Sequence, residues 1–148
     1  MIYLDNAATT PMDEEVVGRM NDSMRDFFAN SGTPYRIGLD AKRLIEKSAE
    51  SIAEYLGIPS THRIVFTSGG TESNNLFIKG LCFPDKKTAF LDLEHPSVTE
   101  SLAFLKQFGN EPFSLLPFQK EGRLDLNSIS TLGGERVKLL CLSHVNNE

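Results

Sequence analysis

The ten residues Phe66-Thr67-Ser68-Gly69-Gly70-Thr71-Glu72-Ser73-Asn74-Asn75 are the stretch best suited to hold a ligand. Two glycines let the backbone approach a bound group closely, and the Thr71 and Ser73 hydroxyls can donate hydrogen bonds to it. The apolar run Ile64-Val65-Phe66 precedes them and a helical pattern through Leu76, Phe77 and Ile78 follows. The segment therefore reads as strand, tight turn and helix start. A helix start carries unpaired N–H groups and the positive end of the helix dipole, which suits an anion such as phosphate. A turn capped by Ser or Thr explains the same residues, and both readings stand at this point. No Lys follows as in a nucleotide P-loop, and there is no Gly-x-Gly-x-x-Gly fingerprint.

Two further polar groups follow apolar runs. Glu94, His95 and Pro96 come after Leu91-Asp92-Leu93; His144, Val145, Asn146, Asn147 and Glu148 come after Leu142-Ser143. His95 can be a surface helix cap or a flat ring that stacks on an aromatic ligand. Asn146 and Asn147 can be turn residues or ligands. In a parallel sheet all three strand ends point toward one crevice, and their coincidence favours a site over three unrelated turns.

The elements that must position these groups alternate. Thr10 as N-cap, Pro11 at the first helical position and Asp13 three residues after the cap start a helix over 11 to about 28, with Val16, Met20, Met24 and Phe27 as its core stripe. The loop Ala29 to Gly38 is rich in turn formers and can line a site. A second helix runs from about Leu39 to Leu56, with Ala41, Leu44, Ile45, Ser48, Ile52 and Leu56 on one side and Gly57 and Pro59 as its stop. After the central stretch come a strand over Thr88 to Asp92, a helix over Pro96 to Phe108 with Val98, Leu102 and Leu105 inward, and a strand over Phe113 to Phe118. Asp125 can cap a short helix carrying Leu126, Ile129 and Leu132. Val137 to Ser143 suits a parallel strand covered on both faces. Strands alternating with helices imply an α/β fold with a mostly parallel sheet.

The 148 residues suffice for one domain with a real core, and 40% hydrophobic content is that of a soluble globular protein. The net charge of -5 and the absence of a basic stripe argue against nucleic acid as a partner. No run approaches a membrane span and the start lacks signal-peptide character, so neither membrane nor secretion is expected, and the location is cytoplasmic by default. Cys82 and Cys141 lie far apart, with no metal-ligand spacing, and read as core cysteines of a reducing compartment.

Four segments together resemble the cysteine desulfurases, the NifS-like branch of the class V aminotransferase family. They are Tyr3-Leu4-Asp5-Asn6-Ala7-Ala8-Thr9-Thr10-Pro11, Ile64 to Asn75, Glu94-His95, and His144-Val145-Asn146-Asn147-Glu148, in the family's order and spacing. The resemblance implies the large domain of a fold type I, aspartate aminotransferase-like, PLP-dependent transferase, with an incomplete sheet and flanking helices. Residues 1–15 would lie at the active-site or small-domain side, and residues 16–148 would be the N-terminal part of the cofactor-binding large domain. Gly70 and Thr71 would hold the phosphate of pyridoxal 5'-phosphate, His95 would stack on its ring as a catalytic group, and Asn147 would bond its 3-hydroxyl oxygen. Ala7 and Thr9 would lie on the substrate side. No metal is implied.

In that family the cofactor acts as an electron sink, and L-cysteine gives its sulfur to an enzyme cysteine as a persulfide, releasing alanine for iron–sulfur cluster or thio-cofactor assembly. A sulfur-acceptor or scaffold protein and a homodimer would be the partners. The family places its cofactor-bearing lysine, its pyridine-nitrogen aspartate and its nucleophilic cysteine later than residue 148. The 148 residues are therefore expected to be inactive alone and to fold against a complementary C-terminal polypeptide or the remainder of the chain, since bare apolar strand edges invite pairing. Cys82, Cys141 and Lys79 are not expected to replace the missing groups. Ser31 stands where relatives have Pro, and Tyr35 where they have His, which bears on loop geometry and substrate handling. A selenocysteine lyase, a kynureninase, another aminotransferase, or an inactive interaction subunit would share these 148 residues.

Overall fold

A computed structural model describes residues 2–6, 8–58, 60–81, 86–115, 123–130, 132 and 136–144. They fall into two compact units, Met1–Phe66 and Thr67–Glu148.

The first unit holds helices α1 (Glu14–Asp26) and α2 (Arg36–Tyr55). The start of α1 differs from the sequence expectation, because Asp13 rather than Thr10 is the N-cap: its carboxylate accepts the Glu15 N–H at 2.8 Å, and Pro11 lies outside the helix. A carboxylate answers the unpaired N–H groups at a helix start at least as well as a hydroxyl, and Glu14 and Glu15 add charge that favours the positive end of the dipole. Replacing Asp13 with Ala should cost the helix about 1 kcal/mol. Faster amide exchange at Glu15 to Val17 would register the loss, and unchanged exchange would refute the cap.

The expected core stripe of α1 is not buried. Val16, Met20, Met24 and Phe27 are all exposed, because no described element of this unit covers that face. In α2, Ala41 is buried and Leu44 and Ser48 are half-buried, whereas Ile45, Ile52 and Leu56 remain exposed. A groove lined by Ile45, Ala49, Ala53, Ile58, Ile64 and Phe66 runs along this helix.

Helix α2 begins three residues before its expected start, with Tyr35 as an extended N-cap lacking a side-chain cap bond. The Tyr35 carbonyl accepts from Gly38 and Leu39 at 3.0 and 3.1 Å. Gly38 reads as a loop residue in sequence, yet it lies in the first turn because the preceding loop packs directly on it. Asn30 shapes that loop: its Oδ1 accepts the Gly32 N–H at 2.8 Å and its carbonyl accepts from the Thr33 amide and hydroxyl.

The second unit holds α3 (Gly70–Gly80), β1 (Lys87–Leu91), α4 (Pro96–Lys106), β2 (Pro112–Leu115), α5 (Leu126–Ser130) and β3 (Val137–Cys141). The strands form one parallel sheet in the order β2-β1-β3. Residues 116–118, at the end of the strand expected from Phe113, lie outside the described residues, as does Cys82. The expected strand at Ile64 to Thr67 is absent: residues 63–67 pair with no described strand, and Val65 and Phe66 are exposed.

Two apolar layers enclose the sheet. Ile78 of α3 and Val98, Leu102 and Leu105 of α4 cluster with Leu139, against which Phe90 and Cys141 pack. Leu102 is 1% exposed, and burying such a side chain contributes roughly 1.5–3 kcal/mol. The other cluster holds Ala89 and Leu132, with Phe113, Leu124, Ile129 and Val137 against them. Strand alternation would put Val137 and Leu139 on one face. They face opposite layers because Lys87 pairs with Val137 and Thr88 with Leu139, so Lys138 is the extra residue of a bulge that reverses the alternation. Asp125 caps α5 as expected, its Oδ1 accepting the Asn127 N–H at 2.9 Å.

Candidate functional site

The site is assembled from the start of α3 and the carboxyl ends of β1 and β3. Gly69, the N-cap of α3, contributes no side chain, and its carbonyl accepts the Ser73 N–H at 3.1 Å. Gly70, Thr71 and Glu72 occupy the first three helical positions, whose N–H groups have no carbonyl partner within the helix. A Cβ built on Gly69 or Gly70 meets nothing within 4 Å, so the space over this turn is open. These N–H groups and the exposed Thr71 hydroxyl form an anion-ready donor set.

The other polar groups of the turn are engaged elsewhere. Both the Ser68 hydroxyl and its N–H donate to Glu72 Oε2 at 2.6 Å. These bonds hold the Glu72 carboxyl below the usual carboxylate range, the hydroxyl contributing most. A depressed carboxyl stabilises the fold above its unfolded value and loses that contribution only as pH falls through the folded value, so the clasp is intact at neutral pH. Ser73 departs from the sequence expectation of a phosphate donor. Its hydroxyl is 2.7 Å from that of Thr67, which itself donates to the Gly69 carbonyl, so the Ser73 proton is spent on Thr67.

His95 is the N-cap of α4, and its Nδ1 accepts the Ser97 N–H at 3.1 Å. It is thus the helix cap that the sequence allows, and its ring is nonetheless exposed for contact with a ligand. Ser97 Oγ lies 2.8 Å from the same Nδ1 and accepts from Asn74 Nδ2 at 2.8 Å. Asn74 belongs to α3, so hydrogen bonds join the anion turn to His95.

Glu94, 9% exposed, ties the two strand ends together. Its Oε1 accepts the Ser143 N–H at 2.6 Å and its Oε2 accepts the Ser143 hydroxyl at 2.7 Å, while its own N–H donates to the Leu91 carbonyl. Asp92, just past the end of β1, accepts from the hydroxyl of Ser114 in β2. The roles of Asn74, Ser97, Glu94 and Ser143 are not legible in the sequence, since their partners lie 23 and 49 residues away. The one available signal was a polar residue at each strand end.

Among the predicted site residues, Gly70, Thr71 and His95 come together in the second unit. Thr9 is exposed in the first unit, where its N–H donates to the Asp5 carbonyl at 3.4 Å. Ala7 and Asn147 lie outside the described residues. Lys79 is directed away from the α3 start, its Nζ standing 4.3 Å over the Phe104 ring. Cys141 is half-buried; burial, and then the Glu94 carboxylate, push its thiol above the usual value, the opposite of what a nucleophile needs. Among the described residues no cluster of three His, Cys, Asp or Glu side chains could hold a metal, and no helix is long and apolar enough to cross a membrane.

Comparison with known proteins agrees with this geometry. The sequence matches the family profile "Aminotransferase class-V" over residues 2–148. It is 36% identical over 151 residues to a cysteine desulfurase IscS of Dictyoglomus turgidum, an alignment covering 99% of this chain and 38% of that protein. The structure is similar to that of a NifS-like protein, with a TM-score of 0.90 at 28% identity over 99% of this chain and 41% of the other. It is likewise similar to SspA in complex with cysteine, with a TM-score of 0.87 at 31% identity over 99% and 43%. The chain thus spans well under half the length of these relatives. Its parallel sheet and flanking helices have the fold of the type I large domain, as the sequence resemblance implies. The chain belongs to the class V aminotransferase family.

Proposed function

We propose that these 148 residues form the N-terminal portion of a pyridoxal-phosphate-dependent cysteine desulfurase. The observation that carries the reading is the joining, in one unit, of an uncapped and open α3 start to the exposed ring of His95. The donor set fits the cofactor: three backbone N–H groups and the Thr71 hydroxyl suit a phosphate dianion, and an imidazole suits the face of a pyridine ring. When bound, the cofactor supplies the electron sink that the chemistry needs.

In this reading Gly70, Thr71 and the Glu72 N–H bind the phosphate. His95 orients the ring and holds a proton at Nε2. Asn147 bonds the 3-hydroxyl oxygen, and Ala7 and Thr9 lie on the substrate side. Residues 1–15 form the segment beside the small domain and residues 16–148 belong to the large domain. The substrate is L-cysteine, the products are alanine and a persulfide on an enzyme cysteine, and the sulfur passes to an acceptor protein in iron–sulfur cluster or thio-cofactor assembly. A homodimer in the cytoplasm completes the proposal. The lysine, the aspartate and the nucleophilic cysteine of the family are supplied by a complementary polypeptide or the remainder of the chain, and residues 1–148 are inactive without them.

The test is assembly with that complementary part, followed by addition of pyridoxal phosphate and L-cysteine. Cofactor absorbance and alanine release are expected, with cofactor affinity about tenfold weaker in Thr71→Val, the size of one hydrogen bond to a charged group. A stable assembly that takes up no cofactor and releases no alanine would favour an interaction subunit instead.

A further inference from the structure

We propose that Asn74 and Ser97 are positioning residues, a hydrogen-bond relay from α3 that fixes His95 as the Nε2–H tautomer. Nδ1 receives the Ser97 N–H at 3.1 Å, which requires a lone pair there. Asn74 Nδ2 is only a donor, so Ser97 Oγ accepts from it and its own proton is left for Nδ1, 2.8 Å away. Two donors therefore converge on Nδ1, and the ring proton sits on the opposite nitrogen. Ser97 is buried and Asn74 half-buried, so the relay is shielded from competing water. The relay connects the helix that would hold the phosphate to the ring that would meet the pyridine. Its catalytic relevance rests on the proposed cofactor reading, whereas the tautomer does not.

The direction of the relay gives a test that a merely structural role would not pass. Asn74→Asp replaces the donor by an acceptor, so the Ser97 proton turns toward the carboxylate and is withdrawn from Nδ1. Ser97→Ala removes the hydroxyl while keeping the backbone N–H that caps the helix. Long-range proton–nitrogen NMR of the histidine-labelled chain assembled with its complementary part, with the His95 signal identified by its loss in His95→Gln, reads the tautomer directly. In the unsubstituted protein Nε2 should carry the proton, and each variant should lower the ratio of Nε2–H to Nδ1–H about fivefold, the size of one neutral hydrogen bond. In Ser97→Ala the further change Asn74→Asp should alter the ratio no more, because the link between the two is gone. An Nδ1–H tautomer in the unsubstituted protein, or a ratio unmoved in both variants, would overturn the proposal. If pyridoxal phosphate added to the protein assembled with its complementary part leaves the His95 signals unchanged while Asn74→Asp still moves the ratio, the relay stands and the cofactor reading fails.

Discussion

Replacing Glu94 with Ala is expected to destabilise the protein by roughly 3 kcal/mol, because a buried carboxylate makes two charge-assisted hydrogen bonds to Ser143 and each bond of that kind is worth about 1.5–3 kcal/mol. Alanine leaves the Ser143 N–H and hydroxyl without their acceptor and opens a gap between the ends of β1 and β3. Glutamine separates geometry from charge. Its amide oxygen still accepts the Ser143 N–H, and its amide nitrogen can donate to the hydroxyl oxygen once that hydroxyl rotates. Glu94→Gln should therefore lose less than half as much stability. Urea unfolding measures both losses, and amide exchange at Ser143 locates them: protection should vanish in the Ala variant and persist in the Gln variant. Equal losses, or a Ser143 amide already unprotected in the parent, would show that the clasp is not what holds the strand end.

The same substitution reports on Cys141. Burial is the larger cause of its raised thiol and the Glu94 charge the smaller, so Glu94→Gln should bring the thiol only part of the way back toward its ordinary value. The clasp thus has two consequences at the sheet's carboxyl edge. It holds the chain at Ser143, two residues past the end of β3 and one before His144, and it adds to burial in raising the nearby thiol. Both suit an edge that presents polar ligands rather than a sulfur nucleophile.

Periodicity disclosed the elements wherever a local pattern and its tertiary partner coincide. In α4, Val98, Leu102 and Leu105 are buried as spaced, because the sheet they cover lies in the same unit. In α1 the same kind of pattern yields an exposed stripe, since amphipathicity specifies a face and not the element that covers it. The run at Ile64 has strand composition but no described ladder partner, and composition cannot supply one. The anion turn and His95 were legible as residue types at the ends of runs. Their connection was not: the Asn74 to Ser97 and Glu94 to Ser143 bonds depend on how helices and strands meet, which no local window contains. Ser73 shows the converse, a correct donor type whose proton is consumed by Thr67.

Gly38→Ala is expected to destabilise the first unit by about 2 kcal/mol despite two effects that favour Ala. Alanine is better than glycine within a helix by about 1 kcal/mol, and it restricts the unfolded chain. Against these stands the loop packed on the first turn of α2. A Cβ at position 38 would lie 2.0 Å from Thr33 Oγ1 and 2.8 Å from the carbonyl oxygens of Asn30 and Thr33. The Thr33 hydroxyl is itself bonded to the Asn30 carbonyl at 2.7 Å, so it cannot swing aside freely, and the two carbonyls are backbone. The loop must move as a whole, an overpacking cost of about 1–3 kcal/mol, with its turn bonds disturbed as well. Gly18→Ala supplies the control: Gly18 lies within α1 and a Cβ there meets nothing within 4 Å. That substitution should stabilise α1 by about 0.5–1 kcal/mol. Truncating the loop in Thr33→Ala with Gly38→Ala should recover only part of the loss, because the carbonyl contacts remain. Opposite signs for the two glycines in urea titrations followed by circular dichroism would locate the cost in the loop contact. A gain at both positions would mean that the loop yields to a methyl group and that Gly38 is not needed for close approach.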